Sequence, residues 1–473
     1  MKETVGLAPL VFLVIGAMIG GGAFSLPGDL AARGAHAGGV LLGWLITGVG
    51  IVMLALVFQN LSLRKPDLNA GIYSYARAGF GEFVGFSSAW GYWISAWLGN
   101  VAYLTLLFAA AGYFVPAFGQ GNTPWAVLGA SVILWAITAL VARGVRESTL
   151  VNMVTTIAKI VPIVVFIIAA MLAFHPGVFR AAFWGPGGFH WGSVIEQARS
   201  TMMVTLWVFI GVEGAVVLSA RARERRDIGR ATVTGLLGTL VIYVLISVAA
   251  MGVMGQAQLA GLKSPSMAYV MESVVGPWGA ALINAGLIVS LLGATLGWTL
   301  LAVEIPFVAA REGIFPAGFG RENEREAPIH SLWITQGLIQ LFLIVVLFSS
   351  STYQALYTMA TAAILLPYLF SALYQVKLAW TGEAYGAHEP RTGDLVVGLV
   401  ATAYAIWLIY GAGLDYLLLT GILYAVGILP YALVRHGQGK PLFQRYEGAI
   451  AALFVVMAVV AVYYVAHGWI QLT

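Results

Sequence analysis

The sequence has no cysteine and very little charge. The absence of cysteine from all 473 residues excludes disulfides, thiolate metal sites and cysteine nucleophiles. Charged residues make up 9% of the chain, against roughly a quarter in soluble domains, and apolar residues make up 60%. A soluble fold of this length could not hide so much apolar surface from water. The composition therefore predicts a helical membrane protein, with the lipid bilayer as its surroundings.

The net charge of +4 does not point to a nucleic-acid partner. The basic residues lie in short connections between apolar runs, where they report membrane topology. No metal site or cofactor is expected, because all seven histidines lie near the ends of apolar runs. The start, residues 1–4, leads into an apolar run without a small-residue cleavage site, so the first run is predicted to be retained.

Thirteen apolar runs approach or exceed the length needed to cross a bilayer, about 20 residues. They lie near residues 5–31, 38–61, 85–115, 125–142, 152–173, 199–219, 230–254, 277–303, 329–349, 353–376, 395–412, 415–434 and 447–466. With the N-terminus inside, 19 of the 24 basic residues fall on the cytoplasmic side and one, Lys159, within a run. The outer side of the membrane has only Arg33, Arg180, Arg199 and Lys263. This bias predicts a multi-pass protein of the cell inner membrane with a cytoplasmic N-terminus.

Glycines interrupt the first and sixth runs. Gly20, Gly21 and Gly22 are consecutive in the first run, and Gly211 and Gly214 flank Glu213 in the sixth. Each glycine weakens a helix by about 1 kcal/mol relative to alanine. Unwound backbone within a membrane is tolerated where it lines a water-filled cavity or is buried in protein. Close packing of helices through small residues is the alternative interpretation.

The two breaks lie five runs apart, which is typical of two five-helix repeats of inverted topology around a central substrate site. We expect the first repeat over residues 1–175, the second over 176–378, and C-terminal helices 11 to 13 over 379–473.

Broken helices have the chemistry to bind a zwitterion. The free amides at Gly20, Gly21 and Gly22 suit an α-carboxylate, because amides and the helix dipole favour negative charge. Carbonyls at the end of the first half-helix and around Trp207 and Ile210 suit an α-ammonium. This pattern indicates amino acids as a class without selecting a side chain.

Ionisable residues inside the runs are costly and require a reason. Glu213 suits a proton sensor, a partner for a cationic substrate or a gate, and a carboxyl that supports the loosened backbone is the alternative. Lys159 suits an ammonium that bridges carbonyls of the broken first helix in place of a sodium ion, with extension to the interface as the alternative. Glu304, two residues before Pro306, is interpreted as a structural acceptor.

Two tryptophans lie close to glycines in runs that are predicted to line the cavity. Trp207 precedes Gly211 and Trp298 follows Gly297. Their ring faces suit a guanidinium or ammonium group through cation–π attraction, which contributes roughly 0.5–2 kcal/mol.

The motifs GGGAFSLP at residues 20–27 and WVFIGVE at residues 207–213 resemble those of the basic amino acid/polyamine antiporters in the amino acid–polyamine–organocation superfamily. The resemblance covers runs one to ten and is greatest to bacterial arginine/ornithine antiporters. It implies an all-α, leucine-transporter-like bundle of five plus five inverted helices, with helices 1 and 6 discontinuous. It also implies exchange of basic amino acids by alternating access, without enzyme activity. The resemblance allows either a monomer or a homodimer.

The resemblance also implies roles for individual residues. The substrate-binding residues it indicates are Met18, Gly20, Gly21, Gly22, Ser95, Ala96, Asn100, Trp207, Ile210, Trp298 and Ala360. Within this set, carbonyls of Met18, Trp207 and Ile210 receive the α-ammonium. The inner gate it indicates consists of Tyr92, Glu213 and Tyr368, and Lys159 matches the fifth-helix lysine of sodium-independent relatives.

The substrate pair is open at this point. Ala17 and Ala360 stand where the arginine/agmatine exchangers have polar side chains, which argues for a different pair. Arginine/ornithine exchange is the leading hypothesis. The alternatives are arginine/agmatine, lysine/cadaverine or histidine/histamine exchange and a proton-coupled symporter. A sodium symporter conflicts with Lys159, a channel with the predicted occluded site, and an enzyme with the absence of a nucleophile–base pair from the runs.

Overall fold

The computed structural model describes residues 11, 14–16, 18–68, 72–144, 149–213, 225–348 and 353–470. All regular secondary structure within these ranges is helical. The α-helices are α1 Gly22–Ala32, α2 Ala37–Arg64, α3 Ile72–Phe80, α4 Glu82–Ala111, α5 Pro124–Ala142, α6 Thr149–Leu172, α7 Pro176–Arg180, α8 Trp191–Ser200, α9 Met202–Trp207, α10 Arg225–Val253, α11 Gln256–Ala260, α12 Ser266–Val275, α13 Pro277–Arg311, α14 Ile329–Phe348, α15 Tyr353–Thr381, α16 Thr392–Ala412, α17 Leu414–Gly437 and α18 Arg445–Ala466. Short 3₁₀ turns lie at Pro116–Phe118 and Ala317–Gly320.

Eleven helices in the described ranges are long and apolar enough to cross a membrane. They correspond to predicted runs two to five and seven to thirteen, so the predicted all-α, multi-pass fold class is confirmed. The two runs without such a helix are the first and the sixth, which are the glycine-interrupted ones. The division into two five-helix repeats stays a prediction.

The first run is interrupted at Ile19 and Gly20. The amide of Ile19 donates to the carbonyl of Ile15 at 2.9 Å, after which the helix ends, and α1 begins at Gly22. Residues 5–10, 12, 13 and 17 of the predicted run, including Ala17, lie outside the described part of the chain.

The sixth run is interrupted after α9. Residues 208–213 form turns, and Gly211 has a φ of +108°, a left-handed conformation that side chains disfavour. Glycine is therefore the residue this turn requires. Residues 214–219 of the predicted run lie outside the described part of the chain.

Helix α4 is the centre of the bundle. Its apolar window is 94% buried, against 17% for α18, so α18 lies at the periphery. Helices α13 and α15 both pack on α4. Helix α13 also packs on α6 through glycine, since a Cβ built on Gly286 would lie 2.6 Å from the carbonyl oxygen of Ala158. Helices α4, α13 and α15, which contain predicted pocket residues, are therefore held together by close packing.

Helix α13 runs to Arg311, eight residues beyond the predicted end at 303, and it continues through Pro306. Proline removes an amide donor and disturbs the bonds one turn earlier. The hydroxyl of Ser331 donates to the carbonyl of Val303 at 2.7 Å, which supplies a donor in that disturbed turn. A proline inside a membrane helix is tolerated under such conditions.

A buried carboxylate anchors the last helix to the central one. The Oε1 atom of Glu447 accepts from the amide of Phe83 at 2.9 Å, and its Oε2 atom accepts from the amide of Gln444 at 2.9 Å. These amides lie at the N-terminal ends of α4 and α18, where free N–H groups and the helix dipole favour negative charge. Tyr446 adds a hydrogen bond to the carbonyl of Phe80 at 3.0 Å.

Candidate functional site

The two broken segments meet at one tyrosine of α10. The hydroxyl of Tyr243 lies 3.0 Å from the carbonyl oxygen of Met18 and 2.9 Å from that of Val208. Tyr243 is fully buried. Because a hydroxyl has one proton, it donates to one of these carbonyls at a time. Carbonyl groups from both breaks are therefore held side by side, with one of them open to another donor.

Lys159 reaches the first half-helix from α6. Its Nζ atom donates to the carbonyl of Gly16 at 2.5 Å, and its exposed fraction is 5%. Gly16 lies against the same helix, since a Cβ built there would be 2.9 Å from the hydroxyl oxygen of Thr156. The structure thus places the amino group of Lys159 against the backbone of the first half-helix.

The indole of Trp207 is enclosed by aromatic side chains. Its Nε1 atom donates to the hydroxyl of Tyr353 at 2.9 Å. Its ring stacks on Tyr357, with centroids 5.6 Å apart and planes inclined by 20°, and Tyr103 lies 5.6 Å away at 53°. One ring face is therefore covered by protein, which limits the cation–π role that the sequence suggested for this residue.

Glycines make room for this indole. A Cβ built on Gly22 would lie 2.7 Å from the Cδ1 atom of Trp207, and one on Gly99 would lie 3.3 Å from its Cη2 atom. A Cβ on Gly20 would lie 2.8 Å from the hydroxyl of Tyr103. At Gly21 a Cβ would meet Leu106 and Leu291, both at 2.8 Å. A larger residue at any of these positions would therefore require a neighbouring side chain to shift, in addition to any effect on the amides.

Polar groups of α4 lack partners at the predicted pocket. Asn100 is fully buried, and its Nδ2 atom donates to the hydroxyl of Thr299 at 3.4 Å. The Oδ1 atom of Asn100 and the hydroxyl of Ser95 are buried with no hydrogen-bond partner among the described residues. Buried polar groups are normally satisfied, so each of these two atoms could accept a hydrogen bond from a ligand or water.

The remaining predicted pocket residues come from three helices and from the turn that follows α9. Ala96 is buried on α4, and Ala360 is fully buried on α15. Trp298 is partly buried on α13, beside the Thr299 that contacts Asn100. Ile210 is buried in the turn after α9, and its amide donates to the carbonyls of Leu206 at 3.1 Å and Trp207 at 3.3 Å.

The three predicted gate residues are in contact. Tyr92 donates to the Oε1 atom of Glu213 at 2.7 Å, and Tyr368 donates to its Oε2 atom at 2.8 Å. The amide of Gly211 also donates to this carboxyl, at 3.2 Å. Glu213 is 3% exposed, so α4, α15 and the sixth run are joined at a closed point.

Sequence reasoning missed the aromatic side chains and the glycine that surround Trp207 and the breaks. These residues are Gly99, Tyr103, Tyr243, Tyr353 and Tyr357. The only signal in the sequence was Gly99 beside Asn100, because the tyrosines belong to a set of 20 spread along the chain. Within the described residues, no group of three or more acidic or histidine side chains could hold a metal ion.

Comparison with known proteins places these features in a family. Residues 5–441 match the amino acid permease family. An arginine/ornithine antiporter of Pseudomonas aeruginosa is 50% identical over 100% of this chain and 99% of its own length. An arginine/ornithine antiporter of Latilactobacillus sakei is 43% identical over 98% of both chains. An arginine/agmatine antiporter of Chlamydia trachomatis is 41% identical over 97% of this chain and 96% of its own.

Proposed function

This chain belongs to the amino acid permease family, and we propose that it exchanges arginine for ornithine by alternating access. The observation that carries the proposal is the likeness to antiporters named for this pair, which extends over the whole length of both chains. The geometry supports it, because carbonyls from two broken helices converge at Tyr243 beside a run of three glycines.

The α-amino acid part of the substrate would bind at the breaks. The amides of Gly20, Gly21 and Gly22 would hold the α-carboxylate at the start of α1, where the helix dipole favours an anion. The carbonyls of Met18, Trp207 and Ile210 would hold the α-ammonium. Tyr243 supports the assignment of Met18, because its hydroxyl holds that carbonyl beside the carbonyl of Val208 but can satisfy only one of the two at a time.

The cationic side chain would lie between α4, α13 and α15. The unpartnered Oδ1 atom of Asn100 is an acceptor for a guanidinium or ammonium, and the hydroxyl of Ser95 is a second one. Ala96 and Ala360 leave space there, and the ring of Trp298 would close over the charge. Trp298 is only partly buried, in agreement with a ring that has room to move.

Two charged groups would serve the transport cycle. Glu213, bonded to Tyr92 and Tyr368, would close the path at the cytoplasmic end in the predicted topology. Lys159 would hold the first half-helix through Gly16 without sodium. We further propose that the protein lies in the inner membrane with a cytoplasmic N-terminus. Two inverted repeats would cover residues 1–175 and 176–378, followed by the C-terminal helices of 379–473. A homodimer is compatible with this arrangement.

Counterflow in proteoliposomes tests the exchange. Vesicles preloaded with arginine should accumulate labelled ornithine, whereas empty vesicles should accumulate little of it, and replacing sodium by choline should change neither rate. Robust sodium-driven uptake into empty vesicles would show that the protein is a symporter instead.

Arginine/agmatine exchange is the second candidate, because an antiporter named for that pair is 41% identical to this chain. The same preloaded vesicles distinguish the two. Under the first proposal external ornithine drives arginine efflux more strongly than external agmatine does, and the reverse order would establish the second.

A further inference from the structure

Two side-chain hydrogen bonds join α1 to the beginning of α15. The Nε2 atom of Gln354 donates to the Oδ1 atom of Asp29 at 2.7 Å. Directly after the end of α1 at Ala32, the Nη2 atom of Arg33 donates to the hydroxyl of Thr358 at 2.9 Å. Gln354 and Thr358 are four residues apart and lie on one face of α15, so the two bonds tie the end of α1 and the residue that follows it to that face.

Asp29 is an unusual residue for this position. It is 2% exposed, and within the described part of the chain no lysine, arginine or histidine lies within ion-pair distance of its carboxylate. An acidic group inside a membrane helix is costly unless it is paired or functional. Gln354 supplies a neutral donor to this carboxyl, and the guanidinium of Arg33, four residues further along, attracts it electrostatically.

The same two turns of α15 hold Trp207. Tyr353, next to Gln354, accepts the indole N–H at 2.9 Å. Tyr357, next to Thr358, stacks on the indole ring. A displacement of this end of α15 away from α1 would therefore withdraw both supports from Trp207, which lies across Gly22 in the first break.

The far part of α15 carries the other closure. Tyr368, which bonds Glu213, lies about 22 Å along the helix from Tyr353 at 1.5 Å per residue. By helical spacing, Tyr353, Tyr357, Ala360 and Tyr368 fall on one side of α15. One helix thus contributes to a closure on each side of the proposed substrate site, with Ala360 between them.

We propose that Asp29 of α1 and Arg33 directly after this helix, with Gln354 and Thr358 of α15, form a latch that closes the end of the substrate path opposite Glu213. The latch holds α15 against α1 and so keeps Trp207 over the first break. In the predicted topology this is the outer end, and the Asp29–Gln354 contact opens when substrate enters or leaves there. Asp29 is in this sense a positioning residue, which acts on Trp207 through α15.

Cysteine labelling tests the latch directly, because the chain has no native cysteine. The reporter is Ala360→Cys, at a fully buried position between the two closures. The probe is a membrane-impermeant maleimide, applied without amino acids to right-side-out and to inside-out vesicles. Gln354→Ala and Asp29→Ala should each raise the labelling rate up to about tenfold from the Asp29 side, which faces outward in right-side-out vesicles under the predicted topology, because this is the upper range for loss of one hydrogen bond. Labelling from the Glu213 side should fall.

Gln340→Ala is the matched control. Gln340 also joins two helices, by accepting from Trp135 at 3.0 Å and donating to Ser131 at 2.9 Å, and its loss should leave labelling from both sides unchanged. Should a single variant fail to insert, the double variant Asp29→Ala/Gln354→Ala leaves neither polar partner unpaired and should give the same one-sided increase.

Unchanged labelling, or an equal increase from both sides, would overturn the latch. The inference rests on the proposed function only in requiring alternating access to a central site. Labelling does not depend on which amino acids are exchanged, so failure of the arginine/ornithine counterflow and failure of the latch are separate results.

Discussion

The hydroxyl of Tyr243 lies 3.0 Å from the carbonyl oxygen of Met18, although 225 residues separate them in the chain. The same hydroxyl reaches Val208 in the other break at 2.9 Å. One side chain of an unbroken helix therefore joins the two unwound segments and sets the spacing between the carbonyl of Met18, which is proposed to receive an α-ammonium, and the carbonyl of Val208.

Tyr243→Phe should weaken arginine binding by about 1–3 kcal/mol, because it leaves a buried carbonyl without its donor and loosens the two breaks. Isothermal titration on the purified protein measures this loss. Tyr431→Phe is the control, since the hydroxyl of Tyr431 is also buried but has no partner among the described residues. Equal affinities for the two variants would show that the Tyr243 bridge does not shape the binding site.

Gly21→Ala and Gly22→Ala should both reduce binding, and the reduction should be larger for arginine than for agmatine, which has no carboxylate. Packing alone also penalises these variants, since the new Cβ atoms would meet Leu106, Leu291 or Trp207 at 2.7–2.8 Å. The informative quantity is therefore the ratio of the loss of arginine affinity to the loss of agmatine affinity, both measured by titration. Gly421→Ala, where a Cβ would lie 2.6 Å from the Cβ atom of Met457 between α17 and α18, controls for packing. Equal losses for acid and amine would mean that the glycines shape the cavity without binding the carboxylate.

Trp298→Leu should weaken arginine binding by roughly 1–2 kcal/mol, the scale of a desolvated cation–π contact. Trp298→Phe, which keeps an aromatic face, should lose less. Size-exclusion elution and titration of both purified variants separate loss of binding from loss of folding. An affinity that both variants retain would assign Trp298 to packing.

Glu447→Ala should lower the apparent melting temperature in detergent, because it removes the acceptor of two amides at once, those of Phe83 and Gln444. A buried donor left unsatisfied costs about 1–3 kcal/mol. Glu324→Ala, at an exposed glutamate in the connection between α13 and α14, should leave the melting temperature unchanged. Identical melting temperatures for the two variants would show that α18 is held to α4 by its apolar contacts alone.

The candidate site shows what sequence reasoning reached. Glu213 and Lys159 stood out because charge inside an apolar run is rare, and the structure places Glu213 against Tyr92 and Tyr368 and places Lys159 on Gly16. Trp207 stood out because it precedes a glycine break. Its enclosure by Tyr353 and Tyr357 could not be predicted, since both tyrosines lie about 150 residues away and look like any other tyrosine in an apolar run.

The sequence by itself determined the class, the number of runs and the places where two of them break. Bilayer thickness sets the length of an apolar run, and consecutive glycines lower helix stability wherever they occur, so both features can be recognised locally. Only the tertiary structure decided which side chains meet at the breaks. Helices such as α4 and α13 are apolar on nearly every side, so no hydrophobic face reveals how each is rotated toward its neighbours. That rotation follows from close packing between helices far apart in sequence, and it is what brings Tyr243 to Met18 and Gln354 to Asp29.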